Sequence, residues 1–172
     1  KGVGKFVDTA SKLKSKYPKV KFVLVGDIDQ QNPMSLKADT LNGWVKEGII
    51  EWWGHKQNMS KIIGLSHIIT LPSYREGMPK VLLEAASIGR PIVTTNVPGC
   101  RDIVRDNING FLVDAKESSG LTEAIDRLIL NKELRLRMGL AGREIILNEL
   151  SSKKINEQFI KLYRKSIQPL KS

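Results

Sequence analysis

Short apolar runs alternate along this chain with longer stretches in which apolar residues recur every three or four positions. The short runs, rich in branched residues, are typical of strands buried on both faces of a parallel sheet. They lie at residues 21–26, 49–54, 67–71, 91–95 and 110–113. The longer stretches predict helices at residues 35–47, 59–66, 80–88 and 101–105. The alternation predicts an α/β fold, a Rossmann-like parallel sheet with helices on both faces.

Both ends of the chain show a helical pattern. Residues from Ser118 onward predict helices only, broken around Asn131 and near Leu150, and the chain also opens directly in a helix. A doubly wound nucleotide-binding sheet normally begins with a strand that lies centrally. We therefore expect residues 1–172 to be a single domain whose first strand precedes the given sequence. A rearranged sheet without that strand is the alternative.

Composition narrows the class of protein. The chain has 172 residues, 41% of them hydrophobic, which suits one domain with one good core. No apolar run approaches the roughly 18 residues of a membrane span, so we expect a soluble, cytoplasmic chain. Cys100 is the only cysteine, and His55 and His67 stand apart, so no metal-ligand spacing is present.

The net charge of +10 is concentrated at the two ends. Residues 1–21 carry seven lysines against one aspartate, and residues 151–172 carry six basic residues against one glutamate. Two solvated lysine faces are the favoured interpretation, and peripheral contact with anionic lipid is the alternative. Nucleic acid fits less well, because no aromatic residues interleave with the basic ones.

Candidate chemistry centres on residues 72–84, which read P-S-Y-R-E-G-M-P-K-V-L-L-E. Glu76 lies in a predicted strand-to-helix turn, and Glu84 lies inside the helix that Pro79 is expected to begin. Unpaired N–H groups at such a helix start attract phosphate, so the layout suits a phosphorylated sugar. Two ordinary solvated carboxylates near a helix start are the alternative at this point.

An ordered set of short motifs decides between these alternatives. L-P-S, E-G, L-E-A, G-R-P, P-G and N-G-F-L-V follow one another through residues 71–113. This set resembles the C-terminal, sugar-nucleotide-binding domain of retaining glycosyltransferases of family 4 (group 1), which have the GT-B fold. The resemblance covers nearly the whole chain. The residues within these motifs are similar to those of the subgroup that builds bacterial polysaccharides, capsules and lipid-linked oligosaccharides.

The resemblance implies roles for residues at matching positions. Glu76 would face the donor sugar as the catalytic carboxylate, and Glu84 would accept hydrogen bonds from the ribose hydroxyls. Backbone amides of Gly77 and Met78 would meet sugar hydroxyls or phosphate. Lys1, which precedes a glycine as the family's diphosphate-binding lysine does, would neutralise the donor diphosphate.

At other positions the chain matches the family pattern only in part. W-W-G-H resembles the segment whose backbone contacts the base, which makes Gly54 and His55 donor-binding candidates. The family commonly has E-G-F-G where this chain has E-G-M-P, so the amide that Pro79 lacks is absent from the site. The glycine turn at Gly26 lacks the common following glycine and is left out of the predicted site.

The resemblance further implies a reaction: transfer of a sugar from a nucleotide-diphosphate donor, commonly a UDP-sugar, to a saccharide or lipid-linked acceptor, with retention. No metal and no cofactor are expected. Acceptor recognition would need an N-terminal domain outside residues 1–172, so these residues alone are expected to be inactive. A nucleotide-binding module without transfer activity and a GT-B sugar-nucleotide epimerase are the alternatives. The sequence names neither the donor sugar nor its base.

Overall fold

The structure is a computed structural model that describes residues 2–28, 35–115 and 117–166. Five strands are described: β1 (Val23–Leu24), β2 (Glu51–Trp52), β3 (Ile69–Leu71), β4 (Ile92–Thr95) and β5 (Gly110–Val113). The helices are α1 (Val3–Lys16), α2 (Ala38–Lys46), α3 (Met59–Leu65), α4 (Lys80–Ile88), α5 (Pro98–Arg101), α6 (Ser119–Leu130), α7 (Lys132–Ile145) and α8 (Ser152–Ser166). A π-helical turn, Ile146–Leu150, links α7 to α8.

All strand pairs among the described residues are parallel. β1 pairs with β2, and β4 lies between β3 and β5 in a three-stranded sheet. Because β4 has a partner on each side, all four of its residues are paired and buried. β1 and β2 pair over only two residues each, so their ladders are shorter than the predicted runs. The predicted α/β fold with a parallel sheet is confirmed.

Helices cover both faces of the β3–β4–β5 sheet. Successive side chains of a strand point to opposite faces, and on β4 Val93 joins one hydrophobic cluster while Ile92 joins the other. The first cluster is formed with α1 and α6, and the second with α4 and the chain that follows α5. Cover on both faces explains why strand β4 is buried along its whole length rather than at every second position.

Helix α1 is amphipathic, as its pattern predicts. Val7, Ala10 and Leu13 are buried against the sheet and α6. At its far end Lys16 Nζ lies 2.9 Å from Asp126 Oδ2 on α6. The hydrogen bond from Lys16 holds the pKa of Asp126 below its usual value, and the same bond raises the pKa of Lys16.

One predicted helix is wrong in position. The structure has α5 at Pro98–Arg101 rather than a helix at residues 101–105. Pro98 occupies the first helical turn, where a missing N–H costs nothing. The side chain of Asn109 then accepts from the Arg105 N–H (2.7 Å) and donates to the Ile103 carbonyl (3.0 Å). These bonds fix residues 103–109 as a turn instead of a helix.

The region after Ser118 is helical, as predicted. Asn131 ends α6 and caps α7, because its side chain accepts from the Leu134 N–H at 2.8 Å. The break near Leu150 coincides with the π-helical turn. No helix within the described ranges is long and apolar enough to span a bilayer. The single-domain assignment and the preceding first strand stay predictions.

Candidate functional site

The segment from residue 72 to residue 84 leaves the carboxyl end of β3 and enters α4. Its start is anchored to the neighbouring strand β4. Thr94 Oγ1 donates to the Leu71 carbonyl at 2.7 Å, and Thr95 Oγ1 donates to the carbonyl of buried Ser73. Buried hydroxyls that reach the main chain of the next element hold a loop more firmly than exposed ones. The loop therefore leaves the sheet from a fixed point.

The tip of this loop lies directly against the start of α5. A Cβ atom on Gly99 would lie 1.6 Å from the Gly77 carbonyl oxygen and 2.7 Å from the Glu76 carbonyl oxygen. Real Cβ atoms do not approach so closely, so only glycine fits at position 99. The P-G motif of the sequence thus has a structural reason, because it lets α5 support the loop that carries Glu76.

The predicted site residues of this segment lie on the loop after β3 and on the helix α4 that follows it. Gly77 and Met78 are exposed, with 53% of Met78 accessible, while Glu76 is half-buried. α4 has the predicted bounds, residues 80–88, but Pro79 directly precedes the helix instead of occupying its first position as expected. Glu84 lies on α4, its side chain 26% accessible and 3.7 Å from Lys80 Nζ. The structure therefore brings the two carboxylates and the turn between them to one loop and one helix.

The first turn of α1 meets the same loop. Gly2 has φ +72°, and a Cβ there would lie 1.9 Å from the Pro72 carbonyl oxygen. Lys5 Nζ lies 5.7 Å from the centre of the Tyr74 ring, within the range of a cation–π contact. Lys1 itself is outside the described residues, so its predicted role stays a prediction. Its chain neighbour, however, touches the start of the 72–84 segment.

Gly54 and His55 form a second group, at the carboxyl ends of β1 and β2. The Gly26 N–H donates to the Gly54 carbonyl at 2.9 Å, and the His55 N–H donates to Asp27 Oδ1 at 3.0 Å. Gly54 has φ +63°, a backbone conformation that favours glycine. The hydrogen bonds of this group run between the two turns rather than to the 72–84 segment.

Two members of this second group were missed from the sequence. Gly26 was left out of the predicted site, and Asp27 was not considered. The structure joins both to Gly54 and His55 across a sequence separation of 28 residues. The only local signal was a glycine and an aspartate directly after an apolar strand, which is common to many turns.

The carboxyl ends of strands in an open parallel sheet are where ligands bind in such folds. Here exposed turn amides can donate to anionic or hydroxyl oxygens, and the two carboxylates can accept from hydroxyls. Within the described ranges, no three His, Cys, Asp or Glu side chains cluster as metal ligands would. The expectation that no metal is required stays a prediction.

The fold and these edge loops define a Rossmann-like α/β domain whose candidate binding groups lie at the carboxyl ends of the strands. The family model "Glycosyl transferases group 1" matches residues 1–145, which is most of the chain. The chain belongs to the group 1 glycosyl transferases. This confirms the family that the 71–113 motifs resemble.

Curated relatives and solved structures agree with this family. The chain is 30% identical to an N,N'-diacetylbacillosaminyl-diphospho-undecaprenol α-1,3-N-acetylgalactosaminyltransferase of Campylobacter jejuni, over 97% of the chain and 42% of that protein. It is 27% identical to the capsular polysaccharide biosynthesis glycosyltransferase CapM of Staphylococcus aureus, over 95% of the chain and 42% of that protein. It superposes with a TM-score of 0.85 on Anabaena HepE solved with UDP, at 21% identity, covering 96% of the chain and 45% of HepE.

The chain spans less than half the length of each of these three proteins. The structural likeness, at 21% identity, establishes the GT-B half-fold alone.

Proposed function

We propose that this chain is the donor-binding domain of a retaining glycosyltransferase that uses a nucleotide-diphosphate sugar, with uridine as the expected base. The acceptor is a saccharide or a lipid-linked saccharide in polysaccharide or glycoconjugate biosynthesis. The observation that carries the proposal is the shared position of Glu76 and Glu84 on the loop and helix that follow β3. The names of the Campylobacter and Staphylococcus relatives support the acceptor class.

The proposed roles are those that the family resemblance implies, and the exposure of the described residues is compatible with them. Glu84, partly accessible on α4, accepts hydrogen bonds from the two ribose hydroxyls. Glu76, half-buried at the loop tip, faces the donor sugar as the catalytic carboxylate, and the exposed amides of Gly77 and Met78 donate to sugar hydroxyls or phosphate. Lys1 neutralises the diphosphate. Gly54 and His55 lie beside the base.

Charge on the leaving diphosphate grows as the glycosidic bond breaks. Fixed donors stabilise such charge without reorganising during the reaction. Because Lys1 and the turn amides can supply this stabilisation, we propose a metal-independent reaction with departure and attack on one face of the sugar. Full-length enzyme should therefore keep its transfer rate in excess EDTA, and a loss of activity that Mg²⁺ or Mn²⁺ restores would overturn this part of the proposal.

Titration of several nucleotide sugars against the chain tests the donor site. Removing Glu84 removes hydrogen bonds to a charged acceptor, so we expect Glu84→Ala to weaken the best donor about tenfold to a hundredfold. Lys80→Ala breaks the Lys80–Glu84 ion pair while keeping the carboxylate, and it should change affinity far less. Glu144→Ala, an exposed carboxylate on α7, is the matched control and should bind as the unaltered chain does. Unchanged affinity in Glu84→Ala would refute the ribose assignment.

Transfer activity needs a separate measurement, because binding alone fits a nucleotide-binding module. The full-length protein should release nucleoside diphosphate in an acceptor-dependent way, and residues 1–172 alone should bind donor without turnover. Acceptor-independent conversion of the donor to its epimer would contradict the transferase assignment.

A further inference from the structure

A small cavity lies at the edge of the β3–β4–β5 sheet opposite to the 72–84 loop. His67 and Pro91 line it, and they lie two residues before β3 and one residue before β4. Its volume is about 130 Å³, enough for several waters or a small anion. Arg90, Lys132 and Arg135 also line it, and we call these three side chains with His67 the basic pocket.

Both arginines of the basic pocket are held in place by helix ends. Arg90 Nη2 donates to the carbonyl of Gly64 near the end of α3, and Arg135 Nη1 donates to the carbonyl of Ile129 near the end of α6 at 2.9 Å. These bonds to carbonyls at helix ends account for the N–H donors on one edge of each guanidinium group. A guanidinium carries five N–H donors, so each arginine keeps further donors for another partner.

One of these remaining donors is buried. Arg90 Nε is inaccessible to solvent and has no hydrogen-bond partner among the described residues. A buried donor without a partner costs roughly 1–3 kcal/mol, and more when the group is charged. The capping bond of Arg90 uses Nη2 and leaves this buried Nε without a partner among the described residues.

The charges of the basic pocket are also unbalanced. Within the described ranges, no carboxylate pairs with Arg90, Lys132 or Arg135. Some cations elsewhere in the described ranges do have a carboxylate partner, as in Lys21–Glu51 and Lys16–Asp126. Three cations that converge on one cavity without a carboxylate raise the local concentration of anions.

We propose that the basic pocket binds a phosphate-type anion, at a site separate from the donor site. Planar guanidinium groups match the oxygens of a phosphate, and Lys132 adds a further point charge at the rim. The phosphate is either free in solution or part of a lipid headgroup. Leu136 lines the cavity, and Leu140 follows one turn later on α7. Both leucines are exposed and could contact the apolar part of a lipid, so the lipid headgroup is tested separately.

The first arm titrates inorganic phosphate into the isotope-labelled chain and follows backbone amides by NMR. We expect saturable shifts at residues 89, 90 and 132–136. Lys132→Gln removes an exposed cation without altering the core, and it should weaken the binding about tenfold. Lys46→Gln, an exposed lysine at the end of α2, is the matched control and should leave the affinity unchanged.

The second arm separates the two sources of phosphate. Co-sedimentation compares vesicles of phosphatidylcholine alone with vesicles that also contain phosphatidic acid. Binding to phosphatidic acid that Lys132→Gln reduces and Lys46→Gln does not would assign the site to a lipid headgroup. Saturable binding of inorganic phosphate with the same variant dependence, and no vesicle binding, would assign it to a soluble phosphate.

Other results overturn the proposal. Phosphate shifts confined to residues 76–84 would mean that phosphate occupies only the donor site. Equal losses in Lys132→Gln and Lys46→Gln would mean a general charge effect. Absence of saturable binding in both arms would mean that Arg90 and Arg135 act as helix caps only.

Discussion

Gly99 supports the loop that carries Glu76, and replacing it with alanine tests that support. In the structure the two backbones meet where α5 starts, without any side chain between them. The added methyl group of Gly99→Ala would lie 1.6 Å from the Gly77 carbonyl oxygen and 2.4 Å from the Gly77 carbonyl carbon. These are main-chain atoms, so no side-chain rotation relieves the contact.

The size of the effect follows from that distance. Moving the contact from 1.6 Å to the 3.0 Å limit of real Cβ contacts requires a backbone shift of about 1.4 Å. Overpacking of this kind costs about 1–3 kcal/mol of unfolding free energy. A misplacement of about 1 Å in a site can cost about a hundredfold in rate. We therefore expect donor affinity to fall at least about tenfold, since Glu76 and Gly77 move together.

Two measurements check this prediction: the urea midpoint of unfolding and the donor dissociation constant. Gly43→Ala is the matched control, because nothing lies within 4 Å of its added Cβ and alanine favours the middle of helix α2. It should leave affinity unchanged and stabilise slightly. Unaltered stability and donor affinity in Gly99→Ala would show that α5 does not support the loop, and the reasoning about the site would fail.

Two further predictions concern stability. Asn109→Leu removes the side chain that satisfies the Arg105 N–H and the Ile103 carbonyl, so unfolding free energy should fall by about 2–5 kcal/mol in urea titration; a loss below about 1 kcal/mol would contradict it. The hydrogen bond from Lys16 lowers the pKa of Asp126 in the folded chain. The Asp126 carboxylate therefore stabilises the fold above its unfolded-state pKa, and this stabilisation is lost as the pH falls through the lower folded-state pKa. Asp126→Asn should therefore lose less stability between neutral and acidic pH than the unaltered chain, and parallel pH profiles would contradict this.

The elements that could be predicted from the sequence are those whose ends depend on nearby residues. Residues 80–88 and 110–113 agree with α4 and β5 in full, because proline precedes the first and a buried, fully paired run forms the second. The helix expected at residues 101–105 failed, because the Asn109 side chain organises that stretch from outside it. Periodicity carries no signal of such a bond.

The same distinction applies to the sites. Glu76 and Glu84 lie eight positions apart on one turn and helix, so their grouping could be predicted from local pattern. Gly26 and Asp27 join Gly54 and His55 only through the pairing of β1 with β2. The basic pocket collects residues 67, 90, 132 and 135, which come from three separate segments: the one before β3, the one before β4, and α7. Contacts of this range depend on tertiary packing rather than on any local motif.

The central claim is that Glu84 holds the ribose of a nucleotide donor. The most direct test compares the tightest-binding nucleoside diphosphate with its 2′,3′-dideoxy analogue, on the unaltered chain and on Glu84→Ala. The unaltered chain should prefer the ribose form by about tenfold or more, and Glu84→Ala should lose that preference. An equal preference for the ribose form in both proteins would contradict the account.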